Sequence, residues 1–333
     1  MKVVDMHCDT IGELFKNTEL RNKIDAIISN NMHIDLDKLE TGKYFLQNFA
    51  LFVNLKYTTK PYDFCIDMIE YWKHILNDNP NIKEVLSYRD ICDFEINKKE
   101  AKLLGMLTVE EGECTEGKPE KLDELYKRGV RMMTLTWNYE NSLGYPATPR
   151  NPITGEQLDA AYYDRGLKEN GQIIVEEMMR KGMIVDVSHL SDKGFYDVLH
   201  ISKRMNVPFV ASHSNARSIC GNRRNLTDDM IRELGNAGGV IGLNFYPCFL
   251  KEGSAVEEQF DYMLLHIKHI INKGGIECIG LGSDFDGIDG ELIMRDASQI
   301  QNLYDFLKRS GLSEHVIEHI FCKNVLSLYK RIL

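Results

Sequence analysis

Short apolar runs alternate with longer amphipathic stretches along nearly the whole chain. The apolar runs fall at residues 2–8, 45–54, 103–110, 131–137, 183–189, 208–213, 239–245 and 278–284. Each has the length of a strand and is bounded by polar or turn-forming residues. Between them, Pro119 to Arg128, Glu169 to Lys181, Leu226 to Asn236 and Glu257 to Lys273 repeat their apolar residues at three- and four-residue spacing. That is the period of one helix face. Gly182, Gly238 and Gly275 sit where such helices should stop.

Strands alternating with helices predict an α/β fold, a (β/α)8 TIM-type barrel, with a doubly wound open sheet as the alternative. A barrel needs about 250 residues before insertions, and the chain has 333. No Pro/Gly/Ser-rich linker divides it, so residues 1–333 read as a single domain. Asn138 to Arg165 is the one long stretch without regular pattern and holds Gly144, Pro146, Pro149 and Pro152. A loop of that length after a barrel strand is usually functional or disordered.

Barrel active sites form at the C-terminal strand ends, so the last residues of each apolar run carry the chemistry. The first run ends H-C-D, with His7 and Asp9, and the third ends V-E-E-G, with Glu110 and Glu111. Further along, V-D-V-S-H brings His189, V-A-S-H-S brings His213, and G-S-D-F-D-G brings Asp284 and Asp286. Along an extended strand Asp5, His7 and Asp9 would share one face and Val4, Met6 and Cys8 the other. Imidazole nitrogen and carboxylate oxygen are the ligand set of zinc and other divalent ions in hydrolytic sites. Three histidines and several carboxylates suffice for two ions, with one carboxylate between them. A water shared by two cations loses its proton near neutral pH and can attack a carbonyl. Asp284 is placed to accept that proton and return it to a leaving amine. Asp5 reads as support for the barrel's polar interior. Asp186 reads as an inward structural acid or a partner of a ligand, and Glu111 and Asp286 as loop residues that can face water.

The formal net charge of -10 argues against nucleic-acid binding, which needs a basic stripe. No run approaches the roughly 18 apolar residues of a membrane span. Lys2 is followed by no long apolar core, so no secretory signal is expected. The eight cysteines are scattered with no C-x-x-C pair, which favours reduced thiols in the cytoplasm.

In their order, H-C-D, V-E-E-G, V-S-H-L-S, S-H-S-N-A-R-S, G-N-R-R-N-L-T-D-D, N-F-Y and G-S-D-F-D-G resemble the membrane (renal) dipeptidase family of the amidohydrolase superfamily. The resemblance runs from Asp5 to the final helices. It implies a dipeptidase, accepting L-Xaa-D-Xaa substrates, with two zinc ions per chain. His7 and Asp9 would hold one ion, His189 and His213 the other, and Glu110 would bridge them. Asp284 matches the family's proton shuttle, and Arg224 the arginine that holds the substrate, whose guanidinium suits a carboxylate. A homodimer is expected on the same ground. Two departures stand out. Animal members read L-T-L-T-H, with the histidine on the substrate; here L-T-L-T-W-N-Y puts Trp137 there. Indole donates one hydrogen bond and carries no charge, so that contact either passes to Asn138, Tyr139 or the second zinc or is weaker. The other is E-E-G where many relatives have E-G-G, which adds the charge of Glu111 beside the bridge. Animal members are also secreted and lipid-anchored, and this chain resembles a cytoplasmic bacterial-type relative.

His315 to His319 spell H-V-I-E-H, an inverzincin-like pattern. Val316, Ile317, Ile320 and Phe321 make the apolar stripe there and leave both imidazoles on the wet side. His266 and His269 read as helix-surface residues. G-L-G-S-D-F lacks the third glycine of a dinucleotide fingerprint, and no G-x-S-x-G elbow is present. The rival readings are another amidohydrolase activity, on cyclic amides or by deamination, and a metal-dependent peptide binder without catalysis. Glu110 with N-R-R-N favours dipeptides over the first, and Asp284 argues against the second.

Overall fold

The computed structural model describes residues 1–23, 25–96, 101–158 and 164–333. Among the described residues nine strands form one parallel sheet: β1 (Val3–Asp5), β2 (Tyr44–Phe52), β3 (Ile82–Glu84), β4 (Leu103–Glu110), β5 (Met132–Thr134), β6 (Ile184–Asp186), β7 (Val210–Ala211), β8 (Val240–Leu243) and β9 (Ile279–Leu281). The order runs β2, β1, β9, β8, β7, β6, β5, β4, and β4 pairs back with β2. Eight strands therefore close into the expected (β/α)8 barrel. The ninth, β3, has no counterpart among the apolar runs. It pairs with Leu103–Gly105 of β4, the part of that edge which β5 leaves open by starting at Thr108.

β2 and β4 are long and buried, in register from Leu46↔Leu104 to Phe52↔Glu110. The other barrel strands are shorter than their apolar runs, because the chain turns out of the ladder where the site begins. β1 shows how. Asp5 accepts the His7 N–H at 3.2 Å, which ends the strand and cancels the simple alternation expected through Asp9. Met6 joins Val4 in the barrel interior, while Asp5 turns to Ser283. β6 ends in the same way, with Asp186 accepting the Ser188 N–H at 2.9 Å.

The interior is filled by Val4, Met6, Leu46, Leu104, Met106, Met132, Ile184, Val210 and Val240. Val325, Leu328 and Tyr329 of the Asn324–Ile332 helix pack against them. Tyr329 reaches Asn48 on β2 at 2.7 Å, so this helix plugs the end of the barrel away from the strand C-termini. A larger apolar layer lies between strands and surrounding helices. The four expected helices are present as Pro119–Lys127, Glu169–Lys181, Asp228–Asn236 and Gln259–Gly274. Gly182, at φ +72°, ends the second by donating to Met178 and Met179 carbonyls.

One histidine reading is corrected. His266 is fully buried, with Nδ1 accepting from the Ala216 N–H at 3.1 Å and Nε2 donating to the Leu250 carbonyl at 2.9 Å. Met263, Ile267 and Ile270 of its helix are buried beside it, and His266 falls on their face by helical spacing. His269 is half-buried and pairs with Asp228 at 2.7 Å. At the H-V-I-E-H stretch His315 is exposed, and His319 bonds the Asn324 side chain at 2.7 Å.

Candidate active site

The strand C-termini surround a cleft of about 730 Å³ lined by Asp9, Glu110, Trp137, Asn138, His189, Arg224, Asp284 and others. Every residue expected to act on a metal or substrate reaches this end of the barrel. Asp9 Oδ2 lies 3.4 Å from His7 Nε2. Glu110, the last residue of β4, stands at the centre. Its Oε2 is 3.7 Å from His7 Nε2, while its Oε1 is 3.1 Å from His189 Nε2 and 3.4 Å from His213 Nε2. One carboxylate thus faces both groups of imidazoles, an oxygen to each. Asp284 Oδ1 is 3.8 Å from His7 Nε2. Among the described residues, His7, Glu110 and His213, and also His7, Asp9 and Asp284, bring ligand atoms within 4.8 Å of one another.

The histidines are set by their neighbours. Ser212 Oγ donates to Asp186 Oδ2 at 2.5 Å, because a carboxylate oxygen accepts. The same oxygen must then accept from His213 Nδ1 at 2.8 Å. His213 is left with a bare Nε2 lone pair aimed into the site. On His189, Nδ1 lies 3.3 Å from Asn138 Oδ1, which can only accept, so its Nε2 is bare as well. These two Nε2 atoms are 3.0 Å apart. Burial holds both imidazoles well below their usual basicity, with the positive charge of Arg224 and His7 adding to it. Two neutral lone pairs at that separation repel unless a cation lies against them.

His7 behaves differently. Burial opposes its charge, but Glu110, Asp9 and Asp284 outweigh burial and lift it to about 10. Neither of its ring nitrogens, nor Asp9 Oδ1, has a hydrogen-bond partner although all are buried. Grouped acids that call for positive charge and orphaned ligand atoms are what a metal centre requires. The donor set and its geometry fit divalent metal.

Two acids and an asparagine support the site from behind. Asp186 accepts from Thr134, Ser188 and Ser212, and Asp5 accepts from His7 and Ser283. Both acids end a strand and bind a serine of the neighbouring strand end; Asp5 is the interior support expected, and Asp186 combines its two expected roles, a buried acid that through Ser212 also partners His213. Asn244, within N-F-Y, donates to Asp284 Oδ2 at 2.8 Å. Asp284 is held above its usual range, at about 6, by burial first. His189 and Asp284 both sit at φ +65°, strained backbone of the kind found at functional sites.

Glu111 and Asp286 are not water-facing. Asp286 accepts from the Thr10 hydroxyl and the His33 N–H, both at 2.6 Å. Glu111 is fully buried and raised to about 7 by burial, against hydrogen bonds from Asn141, Glu113 and Trp137. Gly112 follows it because a Cβ there would lie 2.5 Å from the Leu135 carbonyl oxygen. A Cβ at Gly287 would meet Asp9 Oδ2 at 2.0 Å, so any side chain there would displace Asp9.

On the substrate side, Trp137 packs on Phe52 and Tyr139, with ring centroids 4.8 and 5.5 Å away. Arg224 is buried, stacks on Phe249 at 5.3 Å and donates to the His213 carbonyl at 3.2 Å. Burial lowers it to about 10, and its Nε has no partner. The long loop after β5 is folded onto the site: Ala147 N–H donates to the His189 carbonyl, and Arg150 N–H to that of Asn138, both at 2.7 Å. Residues 159–163 of that loop lie outside the described residues.

A closed parallel barrel with imidazoles and acids converging on its strand ends defines a metal-dependent hydrolase. The sequence profile of the membrane dipeptidases, peptidase family M19, matches residues 1–332. The chain belongs to that family and is a metallo-dipeptidase, a hydrolase of peptide bonds. An uncharacterized dipeptidase of Schizosaccharomyces pombe is 32% identical over 349 residues, covering 99% of this chain and 80% of that protein. Among solved structures, a metallo peptidase from Rhodobacter sphaeroides, liganded with a phosphinate mimic of the dipeptide L-Ala-D-Ala, shares the fold. Its TM-score is 0.87 at 23% identity, over 100% of this chain and 99% of that one. A second structure, dipeptidase AC, gives 0.86 at 24% identity, over 100% and 98%. No helix among the described residues is long and apolar enough to cross a membrane.

Proposed function

We propose that the cleft holds two divalent ions, zinc by preference, and cleaves dipeptides, including L-Xaa-D-Xaa. The observation that carries the two-ion reading is the facing pair of bare Nε2 atoms on His189 and His213, 3.0 Å apart, with Glu110 sending its second oxygen to His7. His189 and His213 would hold one ion, His7 and Asp9 the other, and Glu110 would bridge. When bound, the ions supply Lewis acidity and bring the pKa of a water to near 7.

The chain's own residues do the rest. Arg224 forks onto the dipeptide's terminal carboxylate. Trp137, packed on Phe52, walls the cleft beside His189, and Asn138 holds His189 while facing the same cleft. Asp284 accepts the water's proton at Oδ1 as the new C–O bond forms. It gives that proton to the nitrogen as the C–N bond breaks, since an amine leaves only when protonated. The scattered cysteines, without a C-x-x-C pair, support a cytoplasmic setting as part of this reading.

Metal analysis of the purified protein, run beside an assay on L,L and L,D dipeptides, tests this reading. Two ions per chain and turnover on both series are expected. One ion or none in fully loaded protein removes the binuclear claim. Turnover on cyclic amides with none on dipeptides favours the other amidohydrolase reading.

A further inference from the structure

Glu110 and Glu111 are adjacent, yet Glu110 meets one end of the His189 imidazole while Glu111 bonds the loop whose Asn138 meets the other. Glu110 Oε1 faces His189 Nε2 at 3.1 Å. Glu111 points away from the cleft into the loop after β5. Its Oε2 accepts the Trp137 N–H at 3.2 Å, and its Oε1 accepts from the Asn141 side chain and from the Glu113 N–H at 3.0 Å. Asn141 in turn donates to the Leu135 carbonyl at 2.8 Å and accepts the Leu143 and Gly144 N–H groups at 2.8 and 3.0 Å. The loop so organised presents Asn138, the residue after Trp137, whose Oδ1 meets His189 Nδ1. Thr148, further along the same loop, donates to that Oδ1 at 2.9 Å.

The backbone of Glu111 makes this arrangement notable. It stands at φ 125°, ψ 101°, a region that suits glycine and strains any residue with a Cβ. A side chain kept there, fully buried, must hold something in return. What it holds is the segment that fixes the His189 ring.

We infer that Glu111 is a positioning residue, which ties the end of β4 to the loop after β5 and, through Asn138, aims His189 at its metal ion. The inference rests on the reading of His189 as a ligand. It separates the two ion sites, because no bond links Glu111 to His7 or Asp9. Partners of this kind typically change metal affinity by about ten- to a hundredfold.

The test is titration of metal-free protein with cobalt(II), followed by visible absorption, with circular dichroism and apo-protein melting as controls of folding. Glu111→Gly removes the carboxylate and relieves the backbone. Glu111→Gln keeps the volume but sets an amide N–H2 against a donor N–H. Both should lose tenfold or more in affinity at one site and leave the other within twofold of wild type. Asn138→Ala should cost the same site a similar factor. The double variant Glu111→Gly/Asn138→Ala should be no weaker than the weaker single variant, because one route carries both effects. If Glu111→Gly fails to fold, Glu111→Gln and Asn138→Ala decide by the same criterion. Wild-type affinity at both sites in the Glu111 variants overturns the inference, as does a double-variant loss equal to the product of the singles. Wild-type protein that binds no cobalt removes the two-ion reading and the inference with it.

Discussion

The Asn244 side-chain amide donates to Asp284 Oδ2 at 2.8 Å, and so leaves Oδ1 as the oxygen that faces His7 at 3.8 Å. A carboxylate held by one oxygen has the other free for proton transfer. Asn244 therefore orients the group proposed above to take a proton from water and give it to the leaving amine.

Asp284→Asn should keep this orientation and lose the base. Turnover is expected to fall about a hundredfold or more, with the ions retained. Metal content and turnover measured on one preparation decide the matter. Full metal with near-normal turnover takes Asp284 out of proton transfer, and loss of an ion makes it a ligand instead.

Arg224 is buried with an unpartnered Nε, so a substrate carboxylate bound as proposed would meet it already desolvated. Hydrogen bonds to charged groups contribute about 1.5–3 kcal/mol, and an ammonium cannot fork. Arg224→Lys should raise KM about ten- to a hundredfold, with a smaller change in kcat. C-terminally amidated dipeptides should suffer the same penalty in wild type. Equal activity on free and amidated substrates speaks against a carboxylate contact.

Ser212→Ala removes the acceptor that holds the proton on His213 Nδ1. The ring is then free to move that proton to Nε2, where it competes with a metal ion. Metal affinity should drop by about ten- to a hundredfold, read by competition with a chelator of known strength. Unaltered affinity means the tautomer is set elsewhere.

His266 predicts a pH dependence far from the cleft. Burial first, against a bond to the Leu250 carbonyl, lowers it to about 4. Its folded pKa is thus below the unfolded value near 6.5. The unfolded chain binds the proton more readily, so the stability is complete above pH 6.5 and is lost as pH falls toward 4. The slope is at most about 1.4 kcal/mol per pH unit. Gln at 266 can both accept and donate without titrating. Denaturant midpoints between pH 7 and 4.5 should fall more steeply in wild type than in His266→Gln. Parallel curves assign the loss to other groups.

The barrel and the residues that gather at its strand ends were legible because both follow from local pattern. Apolar runs mark the strands, and a polar residue directly after such a run is placed at the strand end. What was illegible depends on pairing between distant segments. Asp186 lies between Val185 and Val187 and shows no sign of Ser212, 26 positions away. Asn244 gives no hint of Asp284, 40 positions on. Glu111 read as a loop acid because nothing local shows Asn141 bending back to it. β3 escaped because I-K-E is too short and polar to show a period. His266 is different, since its spacing from Met263 and Ile270 already put it on the buried face.

β1 leads directly into His7 and Asp9, yet one of its two neighbours is β9, and Ser283 beyond β9 bonds Asp5 across 278 positions of chain. During synthesis at about 5–20 residues per second, that edge waits on the order of tens of seconds for its partner. Until then V-V-D-M-H-C is an apolar strand with an open side. The cluster that brings Asp284 and Glu110 beside His7 therefore forms only after that wait.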